Sequence, residues 1–556
     1  MNEDAGGHRA KEDSVDWRGP VLIPALVFLA FAWLFVMLRS NDTFAVDGSS
    51  RCLDVYRRGT LFFHPNNHLL YPANVLAWTR MAAVLGMKPD GPIEYFALVE
   101  VMNCLAGAGA LGILSFLMYQ ATSSWSWAIA GTAGYGLSKG FLESATNPNE
   151  PMVGLFWSFL AVLAASASFK VKSNWPATVS GLLFSLAMAS YQTMILLAPA
   201  AILLLWRGGS VEERAGAAAP RRYSRIGVFA LSGVASSALI YGWAYWRSGT
   251  QGLAAMIQRF FRHEDARAYL GVSVERAVSV PIGMVRNIFP VLVHFRSVHE
   301  ALAEQKLQLV VLFLVLLAFC AFLGYCIARL AGNWSELSQA RKTAVVAASA
   351  GFLFSCAPLF IWFSNYDKFW LQPLACLAFF LVIALGATPR EARRPSLVFR
   401  AAPALLLAGV LTNITWAVPA HTRPNTEFEE SRRLAGLIGP DDLLVGDWDN
   451  VSGAYGAVWA RDGHMISFPY DAVLYGKEAT SRLREAILKT KEKGGRVYFL
   501  SVLDITERAW NLFLAPKCGV PYSDLDSYRL HSKVIARFEG RDGPVALRQL
   551  DLASFE

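Results

Sequence analysis

The sequence predicts a polytopic α-helical membrane protein followed by a small α/β domain, and three observations carry that reading. Of the 556 residues, 54% are hydrophobic and 17% charged, where a soluble chain of this size carries about a quarter charged. The apolar residues gather into runs of about 20, the length that crosses a bilayer as a helix. After Trp416 those runs stop, and residues 419–556 are polar.

Spanning helices are expected near 20–39, 95–118, 124–142, 151–169, 176–190, 192–206, 226–246, 307–330, 343–363, 369–387 and 401–418, which makes about eleven. The run ATVSGLLFSLAMASYQTMILLAPAAILLLW is interrupted by Tyr191, Gln192 and Thr193, and it reads as two short helices meeting at a polar break. The first span, Pro20–Leu38, lacks a small-residue cleavage site behind it and reads as a signal anchor after a cytoplasmic tail, 1–19. With that orientation the cytoplasmic connections include KVKSNW (170–175), 207–225, the stretch around Arg341 and Lys342, and PREARRPSLVFR (389–400). All are rich in Lys and Arg, as the positive-inside rule requires. The +8 net charge is thereby accounted for by loops facing the cytoplasm, and no nucleic-acid partner is implied. The expected organisation is a transmembrane domain over 20–418 in the cytoplasmic (inner) membrane and an extracytoplasmic α/β domain over 419–556.

In that last segment DDLLVGDWD reads as a strand, RLREAILKTKEKGG as an amphipathic helix ending at Gly, and RVYFLSVLD as a second buried strand. The spacing implies a parallel sheet. No Gly-rich phosphate loop follows either strand, so no nucleotide site is expected. Of the seven Cys, five lie in apolar runs; Cys52 and Cys518 lie outside them and could pair.

Four external loops result: 40–94, 143–150, 247–306 and 364–370. The first holds NDTFAVDG, with Asp42 and Asp47, then HPNNHLLYP, with His64 and His68, then WTRMAAVLG, which reads as a helix on the membrane surface. Asp47 has Gly48 beside it to leave backbone room. His64 and His68, spaced i, i+4, would share a helical face, but two histidines fall short of the three or four ligands of a zinc site; bonding to a phosphate or hydroxyl, or tying the loop down, suits them better. The second loop, ESATNPNE, puts Glu143 and Glu150 at helix ends; Glu150 is also where a macrodipole favours an acid. The third carries Arg259, Arg262 and His263, and the fourth, SNYDKFW, carries Tyr366 and Lys368. External cations run against topology preference and are explained by an anion or by lipid headgroups. Carboxylates, histidines and cations on one face could hold a lipid phosphate while a carboxylate deprotonates an acceptor hydroxyl.

The arrangement resembles the GT-C membrane glycosyltransferases, notably bacterial relatives of the protein O-mannosyltransferases. VDGSSRCLDVYRRG is similar to the catalytic element after their first helix, with Asp47 at the catalytic place, although Cys52 and Leu53 stand where a Tyr is usual. HPNNHLLYP is similar to their His–Pro stretch, NPNEPMVGLFW puts Glu150 at their second acidic position, and YDKFWLQP offers Lys368 where an Arg is usual. The resemblance implies transfer of a hexose or pentose from a polyprenyl-phosphate donor to a glycan, lipid or protein hydroxyl at the outer face. It implies Asp47 as general base, Glu150 assisting or binding acceptor or metal, and Lys368 with Arg259 and Arg262 on the leaving phosphate. Asp42, Glu143, His64, His68, His263 and Tyr366 would line the substrate site. A carboxylate pair would serve with or without a divalent cation. The competing readings are a transporter or flippase of a lipid-linked saccharide, which usually shows internal repeats and mid-bilayer polar residues not evident here, and a non-catalytic envelope-glycan assembly protein.

Overall fold

The computed structural model describes residues 18–39, 46–60, 68–207 (except 172), 219–247, 273–288, 306–361, 367–386, 413–415 and 425–554 (except 448, 461, 462, 541 and 542), with isolated positions between 249 and 271. The first half of the membrane region contains α1 (Arg18–Met37), α2 (Val46–Arg58), α3 (Leu70–Val84), α4 (Pro92–Thr122), α5 (Trp125–Gly136), α6 (Lys139–Thr146), α7 (Pro151–Ser166), α8 (Trp175–Ser190) and α9 (Ala198–Arg207). A 3₁₀ segment, Gln192–Leu197, leads into α9. The second half contains α10 (Ala219–Arg247), α11 (Val274–Ile288), α12 (Lys306–Gly332), α13 (Gln339–Ile361) and α14 (Leu371–Gly386).

Among the described residues five helices are long and apolar enough to cross a membrane, or six if the bent pair α6–α7 is counted as one span. Three shorter apolar helices, near α1, α8 and the 192–207 segment, accompany them. The expected count of eleven is therefore not reached among the described residues, and the span expected at 401–418 lies outside them apart from 413–415. The run expected to cross at 124–142 is instead divided into α5 and α6. Helix α6 then turns by 110° into α7, because Asn147, Pro148 and Asn149 cannot continue it: Pro151 supplies no N–H and fits only the first turn of the next helix. Helix α11, inside the expected loop 247–306, is an addition that the hydropathy pattern concealed. Its amphipathic face packs on α12 and α13.

The break at Tyr191 is present. Its phenol-bearing residue takes extended backbone between α8 and the 3₁₀ segment. Helices α8 and α10 cross closely where Gly181 faces Gly233 and Ser232, and Ser185 Oγ donates to Gly233 O at 2.7 Å. Small and hydroxyl-bearing side chains are what let helices approach where lipid offers no hydrophobic drive. At 31 residues, α4 is about 46 Å long, longer than the bilayer core of about 30 Å.

Past the membrane region, α15 (Thr426–Leu437), α16 (Asn450–Val458), α17 (Phe468–Tyr475) and α18 (Glu478–Glu492) surround a five-stranded sheet. Its strands are β1 (Leu443–Gly446), β2 (Met465–Ser467), β3 (Val497–Leu500), β4 (Ser532–Gly540) and β5 (Gly543–Leu550), in the order β2-β1-β3-β5-β4. As the strand–helix–strand pattern implies, β1 and β3 are parallel, with Leu443 opposite Val497. The β4–β5 hairpin adds an antiparallel edge. Cys52 and Cys518 are both buried free thiols in separate apolar clusters. The pairing the sequence allowed is not made, because each sits inside its own core.

Candidate functional site

The 143–150 turn and the start of α2 meet beside the N-terminal third of α4. The turn Asn147–Glu150 is held from below by Asn103 of α4, whose Nδ2 donates to Asn147 O at 2.6 Å and Asn149 O at 2.8 Å. Asn147 Nδ2 in turn donates to Glu143 O at 2.7 Å. Against this turn lies the start of α2. A Cβ on Gly48 would collide with the Pro148 carbonyl and come 3.3 Å from Asn149 Cα, so only glycine lets α2 lie so close. Asp47 is the residue before that contact. Its backbone belongs to α2, and its side chain lies outside the described residues.

One turn further along α2, Arg51 Nη1 lies 2.7 Å from Glu150 Oε1, with the two side chains 9% and 0% exposed. Glu150 stands at the N-cap of α7 but its side chain caps no backbone N–H there; it faces α2 instead. Cys52 Sγ is 3.9 Å from the Tyr71 hydroxyl of α3. Burial pushes both the Cys52 thiol and the Tyr71 phenol well up, and the negative charge of Glu150 pushes them the same way. Both therefore keep their protons at neutral pH, and either can be the donor in the contact between them.

A second cluster lies where α3 begins. His68 stacks on Tyr191, rings 4.8 Å apart and 11° from parallel. The Lys368 ammonium sits over the same ring at 5.9 Å from its centroid, within cation–π range. Phe369 adds a ring 6.5 Å from Tyr191. Asn74 Nδ2 bonds Ser190 Oγ at 3.4 Å and so ties α3 to the break. Three residues join the clusters: Tyr71 N donates to His68 O at 3.1 Å, a turn that keeps the ends within about 7 Å. His68 has φ 56° and precedes α3, outside any helix.

The structure thus brings Glu150, the Asp47 backbone, His68 and Lys368 to one end of the bundle. Glu143 stands on α6 beside Lys139, at 3.5 Å, half-buried below the turn. Asp42, His64, Arg259, Arg262, His263 and Tyr366 lie outside the described residues. Sequence reading missed Arg51, Asn103 and Tyr71. Asn103 had a signal, a lone amide in the apolar run VEVMNCLAG, since polar groups at such depth need a partner. Among the described residues no three His, Cys, Asp or Glu side chains come together, and Glu150, the described carboxylate nearest Asp47 in the turn, is already paired with Arg51. A divalent cation bound through Glu150 would have to displace that arginine.

The C-terminal domain closes over the far side of α2. Ala457, Val458 and Trp459 pack with Cys52, Val55, Tyr95 and Phe96, and the Arg57 guanidinium donates to Ala460 O.

No protein-family model matches the sequence, and no curated protein does. Solved structures do match in fold. The apo structure of ArnT from Cupriavidus metallidurans is similar at TM-score 0.55 and 11% identity, over 97% of this chain and 99% of that one. The same protein bound to undecaprenyl phosphate matches at TM-score 0.50 and 11% identity, over the same shares. The apo oligosaccharyltransferase of Archaeoglobus fulgidus is similar at TM-score 0.54 and 15% identity, over 93% of this chain and 73% of that one. The likeness to both proteins extends over nearly the whole of this chain and is one of fold.

Proposed function

We propose that the protein transfers a sugar from a polyprenyl-phosphate-linked donor to a hydroxyl of a glycan, lipid or protein, at the outer face of the cytoplasmic membrane. The observation that carries this reading is the seating of α2: Gly48 against Pro148 and Arg51 against Glu150 hold the backbone of Asp47 at the turn that opens α7. A base placed on a helix so anchored loses little entropy on reaching its proton.

In this reading the acceptor oxygen attacks the anomeric carbon as the bond from that carbon to the phosphate oxygen breaks. Asp47 takes the acceptor's proton in the transition state. The leaving polyprenyl phosphate gains negative charge, and Lys368, with Arg259 and Arg262, stabilises it. His68 and Tyr191 form the wall beside Lys368, an aromatic surface suited to a sugar ring or the first isoprene units. Asp42, His64, His263, Glu143 and Tyr366 complete the substrate site, and Glu150 assists by holding α2. The undecaprenyl phosphate bound by the ArnT neighbour supports a donor of that class.

The test is Asp47→Asn in the purified, membrane-reconstituted chain with a polyprenyl-phosphate sugar. Transfer should fall at least 100-fold, the scale of a lost general base, with the thermal transition unchanged. Full residual transfer would remove Asp47 from the chemistry.

A further inference from the structure

At the opposite end of the bundle from Tyr191, helices α4, α7, α9, α13 and α14 enclose a cavity of about 360 Å³. Each helix packs on the next around the ring, and α14 returns to α4, so the space runs along the bundle axis. Its walls are Leu114, Phe159, Leu204 and Phe379 with the small side chains of Ala344 and Ala347. From Ala340 at the rim to Ala348 inside, the α13 wall rises about 12 Å, close to half of a hydrocarbon core of about 30 Å. Leu197 and Cys376 line its inner end.

The rim differs from the walls. Lys170, Gln120, Ser123 and Ser166 line it. Next to it the Arg341 guanidinium donates to Ala121 O at 2.9 Å and Thr122 O at 2.8 Å, which fixes a second positive charge at the end of α4. The apolar walls offer water few partners, and in a bilayer the abundant apolar filler is hydrocarbon. Two cations and several hydroxyl or amide groups around the opening complement a phosphate.

We propose that this cavity is a lipid site: one hydrocarbon chain of an anionic phospholipid enters from the leaflet at that end, with its phosphate at Lys170 and Arg341. The inference is separate from the transfer reaction: the cavity's polar rim is at Lys170 and Ser123, and His68, Tyr191, Lys368 and Phe369 are not among its lining residues.

The test uses the full chain in lipid nanodiscs doped with phosphatidylglycerol carrying a photoactivatable diazirine at the tail end, and in parallel the phosphatidylcholine analogue. Labelling should concentrate on the α13 wall, Ala344–Ala348, above the level on the outer face of α12, whose Phe313 and Leu317 are exposed and report general lipid contact. Ala344→Trp should cut the wall labelling at least fivefold and leave the α12 labelling unchanged. Lys170→Gln should lower the preference for the anionic probe about fivefold, the effect of removing one cation near a lipid phosphate. Wall labelling no higher than that on α12, or equal labelling by both probes, overturns the proposal. Should Ala344→Trp fail to fold, the milder Ala347→Leu decides: unchanged wall labelling in that folded variant also overturns it.

Discussion

Arg51 and Glu150 form a charge pair 2.7 Å apart with almost no access to solvent, across 99 residues of sequence. Two charges taken out of water cost more than they return unless each is satisfied, and removing one partner strands the other, a loss of about 3–5 kcal/mol. Arg51→Ala and Glu150→Gln should each lower the thermal transition accordingly and reduce transfer through misplacement of α2. The exchange Arg51→Glu with Glu150→Arg should recover part of both. If Glu150 supplied chemistry instead, the exchanged variant would regain stability but no transfer, so thermal unfolding and turnover read on the same samples separate the two roles.

Gly48 is the steric counterpart of that pair. Its Cβ position is occupied by the Pro148 carbonyl, and neither backbone can yield cheaply while Asn103 pins the turn. Gly48→Ala should push α2 from the turn and cost about 1–3 kcal/mol, the range for forced overpacking. The same change at Gly59, which has φ 59° and open space around it, should leave transfer intact. Comparison of the two in the transfer assay tests whether the α2 contact matters for activity.

The sequence singles out Asp47, Glu150, His68 and Lys368 because polar and charged groups at the edge of an apolar span are costly and therefore visible; their roles belong to the proposal above. The α/β domain was legible because its strands and amphipathic helix have distinct periods. Arg51 was not, because the sequence RCLDVYRRG gives no sign of a partner in a turn 99 residues on, and a contact is a tertiary fact. The division of 124–142 into α5 and α6 was hidden by their shared apolarity: hydropathy reports burial in lipid or protein alike and is blind to a bend at Ser138. Helix α11 was hidden for the converse reason, since its polar residues occupy one face and lower the average without breaking the helix.

Lys368 and Tyr191 offer a test of donor binding. A cation over an aromatic ring contributes about 0.5–2 kcal/mol, and its charge is what a lipid phosphate would feel. Lys368→Met should weaken transfer at least tenfold, with the loss greatest at low donor concentration. Lys368→Arg should restore much of it, as both carry the charge. Tyr191→Phe keeps the ring for His68 and Lys368 and should behave close to wild type, whereas Tyr191→Ala should resemble the Lys368 variant. Initial rates over a donor titration check this set; a Lys368→Met enzyme with unaltered donor dependence would remove the lysine from the phosphate.

Asp447 and Asp449 give the C-terminal domain a pH dependence of its own. They follow β1 and meet Ser501, which follows β3: the Ser501 hydroxyl donates to Asp449, and Asp449 N donates to Asp447 Oδ1 at 2.7 Å. Burial, then the neighbouring Asp449 charge, pushes the Asp447 carboxyl up to about 7, and burial raises Asp449 as well. In the unfolded chain both return to about 3.9. Between those values the folded domain holds a proton that the unfolded chain releases, so stability falls as pH rises from about 4 to 7 and levels off above. Asp447→Asn removes the titration and should flatten that slope, leaving the variant on the order of 1–3 kcal/mol more stable than wild type at pH 8 and little different at pH 4.5. Thermal unfolding of the full chain across that range, followed through the C-terminal domain by hydrogen exchange of β1 and β3, measures it. A wild-type slope of the opposite sign would mean that the pair is ionised and compensated in the folded state.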